Sequence, residues 1–301
     1  MSEVPVIVGL TLNFRDAQRS AACVQSLLVE GAAHVLVWDN SDDQRESARA
    51  LRTAIGADPR VSIEISPANL GFAAGVNRGM DWIAQHHAGA WVLLINNDAR
   101  LVPGALPALR GALAQHPEAK LAYPDIDHGD RTSGTVYYQR WFGLLSAHPL
   151  PGSDPHASGC CLLFNTALIG PDVFDEDFFM YGEDAELGCR LSREPGAMLH
   201  VPVVWVRHDG SASSGLGTPF YEARMVTAHL ILARKLSSGA IGYGSLLLGR
   251  TAMLGARALV RALRYRSLEP LRALRQGWRL AQGADPLLRQ ARLGMSQNRR
   301  L

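Results

Sequence analysis

The chain has 301 residues, of which 47% are hydrophobic and 19% are charged, and its formal net charge is +2. This length allows one large domain with an appendage or two modest domains, because a domain usually takes roughly 100–200 residues. The composition, with 29 glycines and 16 prolines, excludes a disordered polar chain, a collagen, a coiled coil and a small disulfide scaffold.

The charge is unevenly distributed along the chain. Residues 250–301 contain 12 arginines against Glu269 and Asp285, a net charge of +10, so the remaining 249 residues carry −8. This uneven distribution predicts a basic segment that binds a polyanion, either lipid headgroups or nucleic acid. The segment would be attached to a domain with a different function.

The four cysteines are expected to be small buried hydrophobic residues. Cys23, Cys160, Cys161 and Cys189 form no C-x-x-C pair, and no histidine cluster lies near them in the sequence. This pattern argues against both a zinc knuckle and a disulfide framework.

The N-terminal sequence bears on the location of the protein. It contains Glu3 and no basic segment, so the apolar run at 6–12 is expected to be a buried strand rather than part of a signal peptide. The uncharged stretch at 236–249 is 14 residues long and rich in Gly and Ser, which is short of the ~20 residues that span a bilayer. We therefore expect a cytoplasmic protein without a transmembrane helix.

Apolar runs alternate with helical spacings along the first two thirds of the chain. The segments 4–14 and 30–40 are predicted strands around a helix at 17–28, which together make a β-α-β unit. The later predicted elements are strands at 61–65, 91–95, 158–165 and 199–206, and helices at 73–85, at 99–116 and in the second half of 174–191. This alternation predicts an α/β fold with a mostly parallel sheet and helices on both faces, in which ligands bind beyond the carboxyl ends of the strands.

Two regions depart from this alternation. Residues 123–156 are rich in loop-forming residues, with a short β-ribbon predicted at 135–139, and irregular inserts of this kind often shape a binding face. The chain after Gly217 is predicted to be almost entirely helical, with helices at 221–236 and 243–265.

Small polar or acidic residues follow the predicted strands. Any one of them, taken alone, is explained by a helix cap or a turn. Because the carboxyl ends of neighbouring strands meet at one edge of the sheet, we expect the whole set to converge on one crevice. The set is Asn13, Asp39-Asn40-Ser41, Asn69 and Asn96-Asn97-Asp98.

A carboxylate at a strand end is a candidate ligand for a divalent cation. Asp98 has the hard oxygen atoms that Mg²⁺ and Mn²⁺ prefer, and few protein ligands are needed when a substrate diphosphate supplies the others. His208, at the end of another predicted strand, is a candidate second ligand. The alternatives are that Asp98 caps the next helix and that His208 is a polar residue satisfied by its neighbours.

An acidic cluster surrounds the aromatic sequence Phe-Phe-Met-Tyr at 178–181. Like charges beside aromatic side chains raise one another's proton affinity, which suits a general base. Asp184 and Glu183, at the start of a predicted helix, are the candidates. The acids at 175–177 are explained equally well by stabilisation at a helix N-terminus.

Glycines recur at intervals of four in the segment 69–79. Gly71, Gly75 and Gly79 would share one face of a helix and allow close packing, while Asn69 and Asn77 would offer amide hydrogen bonds to a base or a ribose. The spacing matches neither G-x-G-x-x-G nor G-x-x-x-x-G-K-[ST], which argues against a classical NAD enzyme and a P-loop NTPase.

Taken together and in this order, these motifs resemble glycosyltransferase family 2, and within it the rhamnosyltransferase-like branch. The resemblance covers about residues 4–235. It rests on Asn13, Asp39-Asn40-Ser41, Asn69-Leu-Gly-Phe-Ala-Ala-Gly-Val-Asn77, Asn96-Asn97-Asp98, Phe174-Asp-Glu-Asp-Phe-Phe-Met-Tyr-Gly-Glu-Asp184 and His208-x-x-Ser211.

The resemblance implies a GT-A fold with a catalytic domain at 1–218, a donor half at about 1–100 and an acceptor half at about 101–218. The rest, 219–301, is expected to be a basic helical region with a frayed end from about 284. The nucleotide-sugar site implied by the resemblance and by the converging strand ends consists of Asn13, Asp39, Asn69, Gly71, Asn77, Asn96 and Asn97.

Four positions carry roles over from the family. Asp39 would bind the pyrimidine base. Asp98 corresponds to the last acid of the family's D-x-D metal motif, with Asn96 in place of the first acid, and His208 matches a position that completes the coordination of Mn²⁺ or Mg²⁺. Asp184 matches the catalytic base.

The implied reaction is the inverting transfer of a sugar from a nucleoside diphosphate. The branch favours dTDP-L-rhamnose over a UDP-hexose as donor, and the acceptor would be a glycan or a polyprenyl-diphosphate-linked glycan of the cell envelope. The cation would stabilise the leaving diphosphate, and Asp184 would take the proton of the acceptor hydroxyl.

The basic C-terminal region favours a peripheral position on the inner face of the membrane. Its predicted helices carry apolar side chains on one side and arginines on the other, a pattern of interfacial helices. The alternative is that these helices pack on the catalytic domain and leave their arginines in solvent.

Two further classes of function stay open at this point. A nucleic-acid-binding protein would use the arginines on phosphates, but residues 250–301 offer only Tyr265 and Trp278 for base stacking. A nucleotidyltransferase would share the crevice and the cation, but the segment 6–14 contains only Gly9 in place of a glycine-rich, lysine-bearing loop.

Overall fold

The structure, a computed structural model, describes residues 5–209, 218–283 and 285–298. Its strands are β1 (Ile7–Asn13), β2 (His34–Asp39), β3 (Val61–Ile65), β4 (Trp91–Ile95), β5 (Ala99–Leu101), β6 (Leu121–Asp127), β7 (Thr132–Ser133), β8 (Val136–Gln139), β9 (Leu145–Ser146), β10 (Ser153–His156), β11 (Cys161–Phe164) and β12 (Met198–His208). Its helices are α1 (Ala17–Val29), α2 (Glu46–Ile55), α3 (Gly71–His86), α4 (Ala105–Gln115), α5 (Thr166–Ile169), α6 (Glu183–Leu191), α7 (Pro219–Lys235), α8 (Gly239–Tyr265), α9 (Glu269–Ala281) and α10 (Pro286–Asn298). Ser211, the last residue of the resembling motifs, lies outside the described residues.

The first half of the main sheet is parallel. Its strands lie in the order β3, β2, β1, β4. The apolar side chains of these strands pack on both faces, where Leu27 of α1 belongs to one core cluster and Met80 of α3 to the other. The predicted α/β fold is confirmed, and the carboxyl ends of these strands share one edge.

Helix α3 lies unusually close to β1. A Cβ atom added to Gly75 would come within 2.8 Å of Leu12, and one added to Gly79 within 2.5 Å of Leu10. The expected close packing through these glycines is confirmed.

The second half of the main sheet is mixed. β11 runs antiparallel to β4 and to β6, and β12 runs parallel to β6. β5 closes the sheet by pairing antiparallel with the end of β12, with Ala99 opposite His208.

The predicted helix from residue 99 is wrong in its first turn. Residues 99–101 form β5 instead, and α4 begins at Ala105 after Gly104, whose φ is +88°. The edge of β12 offers backbone partners to this segment, and these ladder bonds outweigh local helical preference. The pairing matters for function because it brings the residue before β5, Asp98, to the end of β12.

All four cysteines are free and buried. Burial raises the pKa of the Cys23 thiol to about 12 and also raises the pKa of Cys160, Cys161 and Cys189. The expectation that they are small core residues is confirmed.

The C-terminal helices pack on the rest of the chain. Helix α7 contributes Ile231 and Leu232 to a core that also holds Tyr138 of β8, and α8 and α9 pack on α7 through Leu254 and Leu274. In the described segments, no helix is both long enough and apolar enough to cross a bilayer.

Several arginines that were expected to face a polyanion point inward. Arg250 is fully buried, where it donates from Nε and Nη2 to the carbonyl of Arg140, and from Nη1 to the carbonyl of His229. Arg257 and Arg261 both pair with the buried Glu222. These three arginines stabilise the helical layer and are not available to a lipid or a nucleic acid.

Part of the segment from 284 onward, expected to be frayed, is helical. Residues 286–298 form α10. Asp285, at the start of this helix, forms a buried ion pair with Arg224, and Ala291 packs against Ala68 and Leu70 of the donor half. These contacts supply the tertiary stabilisation that a short isolated helix lacks.

We predict that Arg250→Met lowers the free energy of unfolding by about 3 kcal/mol or more. The substitution removes three hydrogen bonds from a buried guanidinium group to the carbonyls of Arg140 and His229, and hydrogen bonds of charged groups contribute ~1.5–3 kcal/mol each. Urea unfolding measures this change. The matched Arg264→Met variant, at an exposed position of the same helix, should stay within about 0.5 kcal/mol of the original chain. Equal losses in both variants would contradict a structural role for Arg250.

Candidate active site

A cavity of about 310 Å³ lies at the carboxyl ends of β1 and β4. Strand ends, the loop before α3, the start of α6 and the end of β12 all contribute to its wall. The sequence-predicted residues that line it are Asn69, Gly71, Asn96, Asn97, Asp98, Glu183, Asp184 and His208. The candidate cation ligands and the candidate bases, which are far apart in the sequence, therefore face one space.

Asp98 and His208 form a direct pair at one side of the cavity. His208 Nε2 lies 3.1 Å from Asp98 Oδ1, and the two side chains are 13% and 9% exposed. Backbone pairing holds them together, because Ala99 is opposite His208 and the amide of Asp209 donates to the carbonyl of Asp98. The pair is thus fixed by the closing strand of the sheet and not by flexible side chains alone.

The donor atoms of this pair fit a divalent cation. A carboxylate oxygen and an imidazole nitrogen suit Mn²⁺ and, through the oxygen, Mg²⁺. Among the described residues, no cluster of three or more His, Cys, Asp and Glu side chains is placed to hold a metal. The pair therefore fits a cation that takes its remaining ligands from water or from an oxygen-rich substrate.

Two adjacent carboxyl groups begin α6 on the cavity wall, and their surroundings differ. Glu183 is 7% exposed, and no described residue donates to or accepts from its Oε2. Burial, together with the neighbouring charge of Asp184, raises the pKa of Glu183 to about 8. Asp184 instead accepts hydrogen bonds from the amides of Gly159 and Ala185, at 3.3 and 2.8 Å. Near pH 7, Glu183 therefore keeps its proton, and Asp184 is the better candidate for the base.

Asn13 and Asp39 do not reach the cavity, contrary to the expectation that both bind the nucleotide. They are 0% and 2% exposed. Asp39 Oδ1 accepts from Asn13 Nδ2 at 2.8 Å and from Ser41 Oγ at 2.5 Å, while Asn13 Oδ1 accepts from Ser20 Oγ. This network lies beneath the strand ends and holds β1, β2 and α1 together, so Asn13 and Asp39 Oδ1 already have partners within the protein.

Asn77 is likewise structural. Its side chain is 1% exposed, its Nδ2 donates to the carbonyl of Phe174 at 2.8 Å, and its Oδ1 accepts from the amide of the same residue. Where a contact with a nucleoside was expected, the structure shows this amide fastening the acidic loop to α3.

The loop before α3 carries the predicted pair Asn69 and Gly71 to the cavity. Gly71 has a φ of +78°, and a Cβ atom there would lie 2.2 Å from the carbonyl oxygen of Phe179. Asn40 braces the loop from below, since its Nδ2 donates to the carbonyl of Gly71 and its Oδ1 accepts from the amide of Leu70. Asn40 was quoted among the converging strand ends but not assigned to the site.

Aromatic side chains form much of the remaining wall, and sequence reasoning did not assign them. They are Phe14, Phe72, Phe179, Tyr181 and Phe220. The aromatic sequence beside the acidic cluster was a signal for Phe179 and Tyr181. Nothing in the sequence pointed to Phe220, because it belongs to the C-terminal helical region, at the start of α7.

The sequence pattern that describes Glycosyl transferase family 2 matches residues 14–170, just over half of the chain. The chain belongs to this family. The matched region contains β2 to β11 and begins directly after β1, and it includes the cavity-lining residues from Phe14 to Asp98.

The glycosyltransferase has curated relatives in the rhamnosyltransferase-like branch. It is 28% identical over 249 residues to the N-acetylglucosaminyl-diphospho-decaprenol L-rhamnosyltransferase of Mycobacterium tuberculosis, which covers 71% of this chain and 79% of that protein. The expected family and branch are confirmed.

Solved structures show the same GT-A fold. Residues 1–349 of S. aureus TarS, crystallised with UDP, superpose with a TM-score of 0.51 at 11% identity, over 83% of this chain and 70% of that one. Glucosyl-3-phosphoglycerate synthase from Mycobacterium tuberculosis, with Mn²⁺, UDP and glucosyl-3-phosphoglycerate, superposes with a TM-score of 0.50 at 15% identity, over 77% and 80% of the two chains.

The raised pKa of Glu183 predicts a pH-dependent stability difference. The native state of the glycosyltransferase keeps this proton up to about pH 8, whereas the unfolded chain releases it near pH 4.5. The contribution of Glu183 to the free energy of unfolding is therefore fully present below pH 4.5 and is lost as the pH rises towards 8. Relative to Glu183→Gln, the free energy of unfolding should fall by about 1.4 kcal/mol per pH unit across this window.

Urea unfolding at pH 5, 6, 7 and 8 measures this difference between the two proteins. Glu118→Gln, at an exposed carboxyl group, is the control and should show no comparable trend. A difference between Glu183→Gln and the original chain that stays constant across the range would mean that Glu183 ionises normally.

Proposed function

We propose that this glycosyltransferase moves a sugar, with L-rhamnose from dTDP-L-rhamnose as the first candidate, onto a glycan or a lipid-linked glycan with inversion at the anomeric carbon. The observation that carries the proposal is that Asp98, His208 and Asp184 line one cavity. Its volume of about 310 Å³ is in the range of small-molecule sites.

Asp98 and His208 would hold a divalent cation, Mn²⁺ or Mg²⁺. When bound, such a cation neutralises the negative charge that gathers on the leaving diphosphate. The 3.1 Å contact between the two side chains supports this role, because it presents an oxygen and a nitrogen donor at one point of the wall. The fold neighbour with Mn²⁺ and UDP lends further support.

Asp184 would act as the general base. Its carboxylate would take the proton from the acceptor hydroxyl while the hydroxyl oxygen attacks the anomeric carbon and the bond to the diphosphate breaks. The amides of Gly159 and Ala185 hold the carboxylate in place. Attack from the side opposite the leaving group gives inversion in a single displacement.

The donor nucleotide and sugar would occupy the region between Asn69, Asn96 and Asn97. These amide side chains supply hydrogen bonds of fixed position, and the aromatic wall supplies apolar surface for the rings of the donor and acceptor. The relative named an L-rhamnosyltransferase with a decaprenol-linked substrate supports both the donor and the lipid-linked acceptor.

We expect a nucleoside diphosphate to raise the melting temperature of the chain only together with Mn²⁺ or Mg²⁺, with dTDP giving the largest shift among dTDP, UDP and GDP. Asp98→Ala should remove the dependence on the metal. Asp184→Asn should retain that shift but lower turnover about 10²–10⁴-fold, since it removes only proton transfer. Differential scanning fluorimetry and product analysis measure these effects.

Three results would count against this assignment. They are an unchanged metal dependence in Asp98→Ala, full turnover in Asp184→Asn, and release of pyrophosphate in place of a nucleoside diphosphate. The last product would identify a nucleotidyltransferase.

An anionic membrane surface is the proposed location of the acceptor, and α8 is the element that would meet it. The exposed residues of α8 from 240 to 263 are all uncharged, and they include Ile241, Leu248, Leu259 and Leu263, which are 92%, 74%, 56% and 80% exposed. The charged side chains of the same stretch turn inward. Exposed arginines, at 264, 266, 272, 275 and 279, follow this apolar face.

This arrangement differs from the one expected from the sequence. The apolar face, and not the arginine face, of α8 is turned outward, and the arginines beyond it would meet anionic headgroups at its rim. The exposed Trp141 and Phe142 lie beside α8 at Gly249. Aromatic side chains of this kind favour the membrane interface.

We expect the chain to float with vesicles that contain phosphatidylglycerol. The double variant Leu259→Glu and Leu263→Glu should reduce the bound fraction about tenfold or more, because it places two charges in the apolar face. Val29→Glu, at an exposed position of α1, is the control and should bind normally. Normal binding by the double variant would contradict the membrane assignment.

A further inference from the structure

A chain of hydrogen bonds leads from the cavity into the irregular insert. It begins at the contact between Asp98 Oδ1 and His208 Nε2, continues over 3.2 Å from His208 Nδ1 to His128 Nδ1, and ends over 2.7 Å from His128 Nε2 to Ser133 Oγ. His128 and Ser133 have no part in the proposed function. They belong to the β6–β7 hairpin, which pairs with the same sheet as β12.

The hairpin holds His128 firmly in this position. The amide of His128 donates to the carbonyl of Arg131 across the turn, and Asp127 is opposite Thr132 in the ladder. The two imidazole rings meet edge to face, with centroids 5.2 Å apart and an angle of 72° between their planes. Backbone contacts therefore fix the distance between the two Nδ1 atoms.

The contact between the two Nδ1 atoms requires one of them to carry a proton and the other a lone pair. For neutral rings, two arrangements satisfy both contacts of His128, and only the first of them also satisfies the contact between His208 and Asp98. In the first, His208 donates from Nε2 to Asp98, His128 donates from Nδ1 to His208, and the Ser133 hydroxyl donates to His128. In the second, His208 donates from Nδ1 to His128, and His128 donates from Nε2 to Ser133.

Only the second arrangement leaves a lone pair on His208 Nε2 for a cation. We infer that His128, supported by Ser133, is a positioning residue that accepts the Nδ1 proton of His208 and so selects the tautomer that binds the cation. The inference rests on the proposed role of Asp98 and His208. Substitution of the group that accepts the second N–H of a ligating histidine commonly lowers metal affinity by 10–100-fold.

The hydrogen bonds from Asp98 to Ser133 therefore have one arrangement without a cation and another with a cation. Without a cation, His208 donates to Asp98 and the Ser133 hydroxyl is the last donor. With a cation, His208 carries its proton on Nδ1, His128 carries its proton on Nε2, the Ser133 hydroxyl keeps its own hydrogen and accepts, and Asp98 remains a carboxylate released from His208. His208 Nε2 gives its proton to water, His128 Nδ1 passes its proton to His208 Nδ1, and His128 Nε2 takes one proton from water, so the number of protons is unchanged and the backbone need not move.

The test measures Mn²⁺ binding to the full chain by electron paramagnetic resonance, with and without dTDP. His128→Phe keeps a ring but removes the acceptor, and should weaken Mn²⁺ binding about 10–100-fold. His128→Asn should recover most of the affinity, because its side-chain oxygen lies near the position of the lost Nδ1 atom and accepts the same proton. Ser133→Ala should weaken binding in the same direction but less.

Two controls separate this inference from the proposed function. Asp98→Ala should lose Mn²⁺ binding, and His148→Phe, at an exposed position, should leave it unchanged. If the original chain itself does not bind Mn²⁺, the proposed cation site fails and the inference fails with it. If Asp98→Ala loses binding but His128→Phe retains full affinity, only the role of His128 is overturned.

A second measurement reports the tautomer directly. Nitrogen-15 NMR of the chain with Mg²⁺ and dTDP should show His208 protonated on Nδ1, and the His128→Phe variant should lose this preference. Equal losses of Mn²⁺ affinity in His128→Phe and His128→Asn, with His208 protonated on Nε2 in the loaded original chain, would overturn the inference.

Discussion

The antiparallel pairing of β5 with the end of β12 is the constraint on which the active site depends. It joins residues that are 110 positions apart and fixes Asp98 against His208 by backbone hydrogen bonds. Side chains of this length, left on separate loops, would lose rotamer freedom on meeting. Because the ladder has already ordered the backbone, that cost is reduced. Residues from the first and second halves of the sheet thus meet at one edge that backbone pairing holds together.

The two carboxyl groups at the start of α6 also depend on their surroundings. Burial raises the pKa of Glu183 and keeps its proton in place near pH 7, while two backbone amides hold the carboxyl group of Asp184 by hydrogen bonds. Two adjacent acids are therefore separated in role by their surroundings and not by their chemistry. Gly71 completes this side of the cavity, since any side chain there would collide with the carbonyl of Phe179.

The C-terminal helices are part of the enzyme and not an independent tail. Phe220 of α7 lines the cavity, and α8 packs on α7 through its inward arginines and leucines. A helix that buries its charges and exposes its apolar side chains inverts the usual arrangement of a surface helix. The inversion is possible because Glu222 and backbone carbonyls provide partners for the buried guanidinium groups.

The α/β fold, the family and part of the cavity wall were predictable from the amino-acid sequence. Strand ends in a parallel sheet share an edge, so Asn69, Asn96 and Asp98 were predictable from local patterns alone. Sequence could not decide which polar ends stay open to the cavity. Asn13, Asp39 and Asn77 are of the same residue types, yet neighbouring elements bury them and use up their hydrogen bonds. Only the tertiary structure decided these cases, together with the strand at 99–101 and the outward face of α8, because each depends on contacts between residues that are distant in the sequence.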